Sequence, residues 1–230
     1  MRFQHVRAIV FDAVGTLIRP DPPAAHVYAA VGERYGSVLH RDEIDHQFKT
    51  AFTRQEEVDQ QAKFRTSESR EVERWRRIVK EVLTDATDSE TCFLELFHYF
   101  AQPGAWRCEP EIGRVLTQLG GRGYALALAS NYDRRLRSVV AGITALAPLQ
   151  HLVISSEVGW RKPAPEFYAA VCASLGAREK DVLHVGDDGV NDYEGALACG
   201  LGAILFDPRG QTLAGVARIR GLAELLDVME

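Results

Sequence analysis

Short apolar runs separated by turn residues divide most of the chain into predicted strands. The runs lie at 7–11, 124–129, 151–155, 181–185 and 202–206. Their nearly continuous apolar character is typical of strands covered on both faces of a sheet. Helical patterns lie between the later runs, at 111–119, 164–175 and 191–199. Because strands that alternate with helices pair in parallel, we predict an α/β fold: a doubly wound, Rossmann-like parallel sheet.

One long region breaks this alternation. Residues 24–101 carry four helical patterns and no convincing strand. In one of these patterns Ile44, Phe48 and Phe52 recur at every fourth position, which places them on one helix face. Proline-containing segments flank the region on both sides. The predicted domains are an α/β core at 1–19 and 105–230 and an inserted helical domain at 20–104.

The composition indicates a soluble globular protein. Hydrophobic residues make up 46% of the chain, but no apolar run is long enough to span a bilayer. The net charge of −5 argues against nucleic acid as a partner. The first seven residues lack the apolar core of a signal segment. The four cysteines are too widely spaced for a zinc site or a disulfide framework. We therefore expect a cytoplasmic protein without a membrane or nucleic-acid partner; its oligomeric state is not indicated.

Polar side chains follow the predicted strands where each strand ends. Asp12, Ser130-Asn131 and Asp187-Asp188 all occupy such positions. In an open parallel sheet these ends share one edge, where ligands bind. Each residue alone is equally well explained as a turn former or helix cap. Together, oxygen-bearing side chains at one edge favour a site for Mg²⁺.

Lys162 follows the strand at 151–155 and precedes Pro163 and a predicted helix. A lysine beside clustered carboxylates balances their charge and attracts an anionic substrate. A solvated loop lysine is the competing interpretation, and only the neighbouring strand ends disfavour it.

Four motifs occur in order on the predicted elements. They are FDAVGTL at 11–17, a strand ending in Ser130, Lys162 before a proline-started helix, and Gly186-Asp187-Asp188 followed by Asp192. In this order they resemble the motifs of the haloacid dehalogenase-like (HAD) hydrolase superfamily. The helical insertion after the first motif resembles the cap of the branch that contains phosphatases and two-carbon dehalogenases. The resemblance covers almost the whole chain.

The resemblance implies a Mg²⁺-dependent phosphatase that acts on a small phosphorylated molecule. Asp12 would be the nucleophile that forms an aspartyl-phosphate. The metal ligands would be Asp12, Asp187 and the backbone carbonyl of Val14. Asp188 and Asp192 are candidates for a further ligand or a supporting contact.

The resemblance also implies a phosphate-binding set around Asp12. Ser130 and Lys162 would act in catalysis and hold the phosphoryl oxygens together with backbone N–H groups. Gly15, Thr16 and Asn131 complete the predicted set, Gly15 because a tight turn must approach the phosphate closely.

The sequence departs from the phosphatase pattern at position 14. Phosphatases of this superfamily carry a second Asp there, which protonates the leaving group, whereas this chain has Val14. Three explanations remain. The leaving group needs little protonation, or an acid from the insertion replaces the missing Asp, or the protein binds phosphorylated ligands with little turnover. The candidate replacement acids are Asp21, His26 and His46.

A 2-haloacid dehalogenase is the alternative enzyme. Dehalogenases resemble this chain at its first motif and carry an aromatic residue at the Val14 position. Arg34 and Arg41 are candidates for the positive group that halide departure needs. Asp187-Asp188 disfavours this alternative, because paired carboxylates near Asp12 would repel each other without a cation. Phosphonate-cleaving relatives use a lysine of the insertion, for which Lys49, Lys63 and Lys80 are candidates.

Overall fold

The computed structural model describes Phe3, residues 5–211 and residues 215–229. The expectation of no signal segment rests partly on residues 1, 2 and 4, which lie outside the described residues. The strands are β1 (Ala8–Phe11), β2 (Arg19–Pro20), β3 (Trp106–Arg107), β4 (Ala125–Ser130), β5 (His151–Ile154), β6 (Val182–Gly186), β7 (Gly202–Phe206) and β8 (Arg218–Ile219). The α-helices are α1 (Ala24–Arg34), α2 (Arg41–Gln61), α3 (Glu68–Val82), α4 (Ser89–Tyr99), α5 (Pro110–Gly121), α6 (Arg135–Gly142), α7 (Ser155–Val158), α8 (Pro165–Leu175), α9 (Gly195–Ala198) and α10 (Leu225–Val228).

Six strands form one parallel sheet in the order β5-β4-β1-β6-β7-β8. β1 is central, and its last residue, Phe11, pairs with Leu128 of β4 and Val185 of β6. The chain builds the sheet first to one side of β1 and then to the other. This confirms the predicted doubly wound sheet, and it puts the end of β1 where ligands bind in such folds.

Helices cover both faces of the sheet. On one face α5 buries Val115, Leu116 and Leu119 against the strands. On the other face α8 buries Phe167 and Val171. Because helices cover both faces, the strands are largely apolar, which is why their sequence runs are nearly continuous.

Three features differ from the sequence prediction. β8 has only two residues, too few for a pattern. The polar residues before and within α6 obscure its period, and the helix buries only Leu136 and Val139. Residues 191–199 do not form a single helix: a π-helical turn spans Gly189–Glu194 and α9 follows it.

Helices α1 to α4 pack around an apolar cluster of their own. Ile44, Phe93 and Leu96 are buried in it. The two connections to this segment lie side by side, because β2 and β3 pair antiparallel with Pro20 opposite Trp106. The domain boundaries at 20 and 104 remain a prediction.

No helix among the described residues has the length and apolar character needed to cross a membrane. Cys92, Cys108, Cys172 and Cys199 are free thiols, and two of them, Cys92 and Cys172, are buried.

Candidate active site

Asp12 lies directly after β1, at the centre of the sheet edge. Its backbone N–H donates to the Val185 carbonyl at 2.9 Å, which extends the β1–β6 ladder by one residue. The chain then turns sharply, because the N–H groups of Leu17 and Ile18 both donate to the Ala13 carbonyl at 2.9 Å. The Asp12 side chain is largely buried and borders a cavity at this edge.

Three carboxylates converge beside this turn. One oxygen each from Asp12, Asp187 and Asp192 lies within 4.8 Å of the others. The Thr16 hydroxyl donates to Asp187 Oδ1 at 3.2 Å. Gly15 has φ +98°, and a Cβ at this position would lie 2.3 Å from Asp187 Oδ2, so the close approach requires glycine. The first motif therefore carries Asp12 and also makes room for Asp187.

Lys162 connects two of these carboxylates. Its Nζ lies 2.6 Å from Asp12 Oδ1, 2.6 Å from Asp192 Oδ1 and 3.1 Å from the Ala129 carbonyl. His184 Nε2 also contacts Asp192 Oδ1, at 3.1 Å. All three donors of the ammonium are thus used, and the lysine is held rigidly. The solvated-loop interpretation of Lys162 is wrong.

The protonation equilibria reflect this arrangement. Burial raises the pKa of Asp12 to about 7, against the opposing charge of Lys162. Desolvation by the cavity walls, followed by the charge of Asp192, raises the pKa of Asp187 to about 6. Burial opposes ionisation of Asp192, but Lys162 and His184 outweigh it and hold its pKa below the usual range. One lysine therefore does not neutralise the cluster, which favours a further cation.

Asp188 and Asp192 have different structural roles. Its Oδ1 accepts from the backbone N–H groups of Val190 and Asn191, both at 2.8 Å, and its Oδ2 accepts from Asn191 Nδ2 at 3.1 Å. Its own backbone N–H donates to Asp192 Oδ2 at 3.0 Å. Of the two candidates, Asp192 lies in the cluster, and Asp188 caps the turn that positions it.

The other predicted phosphate-binding residues lie at the same edge. Ser130 ends β4, is buried, and lines the cavity. The Asn131 amide accepts from the Lys162 backbone N–H at 2.7 Å and donates to the Lys162 carbonyl at 3.0 Å. In this geometry Asn131 positions the Lys162 loop. Phosphate binding by Gly15, Thr16, Ser130, Asn131 and Lys162 stays a prediction.

A cavity of about 390 Å³ lies between the sheet edge and the helices α1 to α4. Asp12, Ser130 and Lys162 line it at the sheet. Most of the apolar residues that line the cavity are aromatic. The lining rings belong to Tyr28, Phe48, Phe52, Trp75, Phe100, Trp106 and Tyr132. The arrangement combines a polar, acidic end with a large apolar space, as is usual for small-molecule sites.

Comparison with known proteins identifies the family. The sequence pattern of the haloacid dehalogenase-like hydrolases matches residues 6–200. This chain belongs to the haloacid dehalogenase-like hydrolase family. The resemblance seen in the four motifs is thereby confirmed.

Relatives of this HAD-like hydrolase extend over nearly its whole length. The chain is 25% identical over 207 residues to haloacid dehalogenase-like hydrolase domain-containing protein 3 of Mus musculus, which covers 87% of this chain and 82% of the relative. A HAD phosphatase from Thermococcus onnurineus shares the fold with a TM-score of 0.69 at 21% identity, covering 97% and 98% of the two chains. L-2-haloacid dehalogenase from Xanthobacter autotrophicus shares the fold with a TM-score of 0.75 at 16% identity, covering 97% of this chain and 98% of the dehalogenase chain. The fold is thus common to both kinds of enzyme.

The HAD-like site has no acid at position 14 and receives none from the three residues that the sequence suggests. Val14 lines the cavity. Asp21, His26 and His46 are exposed and do not line it. The expectation that one of them replaces the missing Asp is wrong in this geometry, because their side chains face solvent.

Glu56 is the acid of α2 that does line the cavity. It lies one helical turn after Phe52, so the stripe of every fourth residue that begins at Ile44 continues to it. That continuation is the sequence signal that could have found Glu56. Burial raises the pKa of Glu56, against the opposing charge of Arg74.

The cations suggested for halide or Schiff-base chemistry are also exposed and away from the cavity. They are Arg34, Arg41, Lys49, Lys63 and Lys80. Two other arginines line the cavity instead, and both are paired. Arg135 donates to Asp133 at 2.7 and 2.8 Å. Arg161 pairs with Glu71 of α3. Sequence reasoning missed Arg161 because its partner lies 90 positions away along the chain. It missed Arg135 because the sequence pattern did not predict α6, the helix that begins at this residue.

Proposed function

We propose that this HAD-like hydrolase is a Mg²⁺-dependent phosphatase of a small phosphorylated molecule, with Asp12 as its nucleophile. The observation that supports it best is the buried Lys162 Nζ, 2.6 Å from both Asp12 and Asp192 inside a three-carboxylate cluster. A positioned cation beside a nucleophilic carboxylate lowers its repulsion toward phosphate. We propose residues 20–104 as the cap that encloses the substrate.

The donor set fits Mg²⁺, which prefers carboxylate and carbonyl oxygens. Asp12, Asp187 and the Val14 carbonyl would hold the ion, with Asp192 supporting the cluster through Lys162. The raised pKa values of Asp12 and Asp187 agree with this assignment, because burial raises both and the charge of Lys162 does not offset it. Bound Mg²⁺ would neutralise charge between the nucleophile and the phosphoryl group.

The residues of the chain would act in a fixed order. Lys162 keeps Asp12 oriented, and the carboxylate attacks phosphorus while the bond to the leaving group breaks. Ser130 and backbone N–H groups after Asp12 hold the phosphoryl oxygens. Water then attacks the aspartyl-phosphate, which releases phosphate and restores the carboxylate.

A 2-haloacid dehalogenase is the second candidate, favoured by Val14 and by the aromatic wall. A haloacid carboxylate needs a cation, however. Within the described residues, the cations that line the cavity are Arg135, Arg161 and Lys162, and all are already paired. A phosphate-binding protein with weak turnover is the third candidate, motivated by Val14 alone.

One set of assays separates these candidates. Purified protein is given p-nitrophenyl phosphate, acetyl phosphate or 2-chloropropionate, each with Mg²⁺ or with chelator. We expect phosphate release that falls at least about 100-fold in chelator and returns with Mg²⁺, because the uncompensated carboxylates repel phosphate. Halide release independent of metal would contradict the phosphatase. Tight phosphate binding without release would favour the binding protein.

Replacing Val14 by Asp tests the missing acid. With Mg²⁺, the variant is expected to hydrolyse benzyl phosphate about 100-fold faster than the unchanged protein, because an alkoxide leaving group benefits from a general acid. Phenyl phosphate, whose leaving group is far less basic, should change little. Val14→Asn is the control, since it adds polarity without an acid. Equal rates for Val14→Asp and Val14→Asn on benzyl phosphate would contradict the role of position 14.

A further inference from the structure

The aromatic wall of the cavity is continuous. Neighbouring ring centroids lie 5.5 to 6.4 Å apart along one row. In order, the rings are those of Phe52, Phe48, Tyr28, Phe100, Trp106 and Tyr132. The row begins in α2 and ends two residues after Ser130, so it reaches the proposed phosphoryl site.

The polar atoms at one end of the row are turned to the backbone. Trp106 Nε1 donates to the Phe100 carbonyl at 3.1 Å, and the Tyr132 hydroxyl donates to the same carbonyl at 3.4 Å. With their polar groups bound there, these rings offer the cavity mainly carbon surface. At this end of the wall a sugar hydroxyl would leave water without gaining a partner from these two rings.

The charges around the cavity disfavour an anionic leaving group. Arg135 uses its guanidinium on Asp133 and on the Phe97 carbonyl at 3.0 Å. Arg161 pairs with Glu71, and its Nε lies 3.3 Å from Asp59 Oδ2. The Glu56 carboxyl borders the same space. A second phosphate or a carboxylate on the leaving group would meet negative charge and occupied cations.

Val14 supplies an independent argument. A leaving group that departs without a general acid must be a weak base. A phenol, with a pKa of about 10, meets this condition far better than an aliphatic alcohol. The same ring that suits the wall therefore also suits the absence of an acid at position 14.

We propose that the substrate is a small aryl phosphate with an uncharged aromatic leaving group. This rests on the proposed function. An Asp12 oxygen forms the bond to phosphorus as the bond from phosphorus to the aryl oxygen breaks. The electron pair leaves with that oxygen as an aryl oxide, which takes its proton from water. Stacking on the row of rings orients the ester for this step.

The test compares kcat/KM of the full chain with Mg²⁺ for five substrates: 2-naphthyl phosphate, phenyl phosphate, acetyl phosphate, glucose 6-phosphate and a phosphotyrosyl peptide. We expect 2-naphthyl phosphate to exceed acetyl phosphate and glucose 6-phosphate at least about tenfold, mainly through a lower KM, because only the ring buries apolar surface. Phenyl phosphate should lie between naphthyl and acetyl phosphate.

Three outcomes would overturn the proposal in distinguishable ways. If acetyl phosphate or glucose 6-phosphate matches 2-naphthyl phosphate, the aryl preference is wrong while the phosphatase stands. A phosphotyrosyl peptide that surpasses naphthyl phosphate would make a macromolecule the substrate. No phosphate release from any substrate would overturn the phosphatase and this inference with it.

Phe48 lies within the row, in contact with both Phe52 and Tyr28. In Phe48→Leu we expect the kcat/KM ratio of 2-naphthyl to acetyl phosphate to fall about fivefold, because the ring contact is lost. Phe93→Leu is the matched control, since Phe93 is buried in the same helical segment but does not line the cavity. Its ratio should equal that of the unchanged protein. Equal ratios in both variants would contradict the part assigned to the row of rings.

Discussion

Asp12→Asn is expected to reduce phosphate release at least about 10⁴-fold, because the amide cannot act as the nucleophile. The substitution keeps the size of the side chain and removes one negative charge from the cluster. Lys162 still has Asp192 at 2.6 Å, so we expect the fold to persist. The measurement is kcat with 2-naphthyl phosphate and Mg²⁺, together with the unfolding temperature.

Asp181→Asn is the matched control for this substitution. Asp181 is also a buried acid, but it lies before β6, at the opposite edge of the sheet, paired with Arg178 at 2.8 Å. The Asp181→Asn variant should keep nearly the full activity of the unchanged protein. Activity of Asp12→Asn within tenfold of the unchanged protein would contradict the nucleophilic role of Asp12.

Lys162→Met is expected to lower the free energy of unfolding by about 3–5 kcal/mol at pH 8, because two buried carboxylates lose their cation. The side chain is 2% exposed, so solvent does not replace the ammonium. Chemical denaturation in chelator measures this effect without metal. Lys180→Met is the control, since Lys180 is exposed, and it should lose little stability.

The loss of unfolding free energy in Lys162→Met should depend on pH. Burial already raises the pKa of Asp12 to about 7, and without Lys162 the pKa values of Asp12 and Asp192 rise further. The folded variant then binds more protons than the unfolded chain near neutral pH, so its stability falls as pH rises. The difference in unfolding free energy between the variant and the unchanged protein should therefore become smaller as the pH is lowered from 8 to 5. A difference independent of pH would contradict the electrostatic role of Lys162.

The sequence was sufficient to predict the sheet and the polar ends of its strands. A dry parallel sheet requires continuous apolar strands, and its topology forces Asp12, Ser130 and Asp187 to one edge. Lys162 could be predicted only from the neighbouring strand ends and the motif, because nothing local shows that its side chain is buried.

The cavity wall could not be predicted in the same way. Phe48, Phe100 and Tyr132 come from three remote segments, and only the packing of α1 to α4 over the sheet edge brings their rings together. The pairing of Arg161 with Glu71 likewise joins residues 90 positions apart. Local periodicity carries no information on such contacts. The charges and aromatic rings that line the cavity are therefore identified only from the three-dimensional structure.

The most direct test of the proposed mechanism is to trap the phosphorylated enzyme. Protein is mixed with 2-naphthyl phosphate and Mg²⁺, quenched in acid within one turnover, treated with borohydride and digested for mass spectrometry. Because borohydride reduces an acyl phosphate to an alcohol, the proposal predicts homoserine at position 12, only with substrate present and never in Asp12→Asn. Phosphate release without this product, or modification at another residue, would contradict catalysis through Asp12.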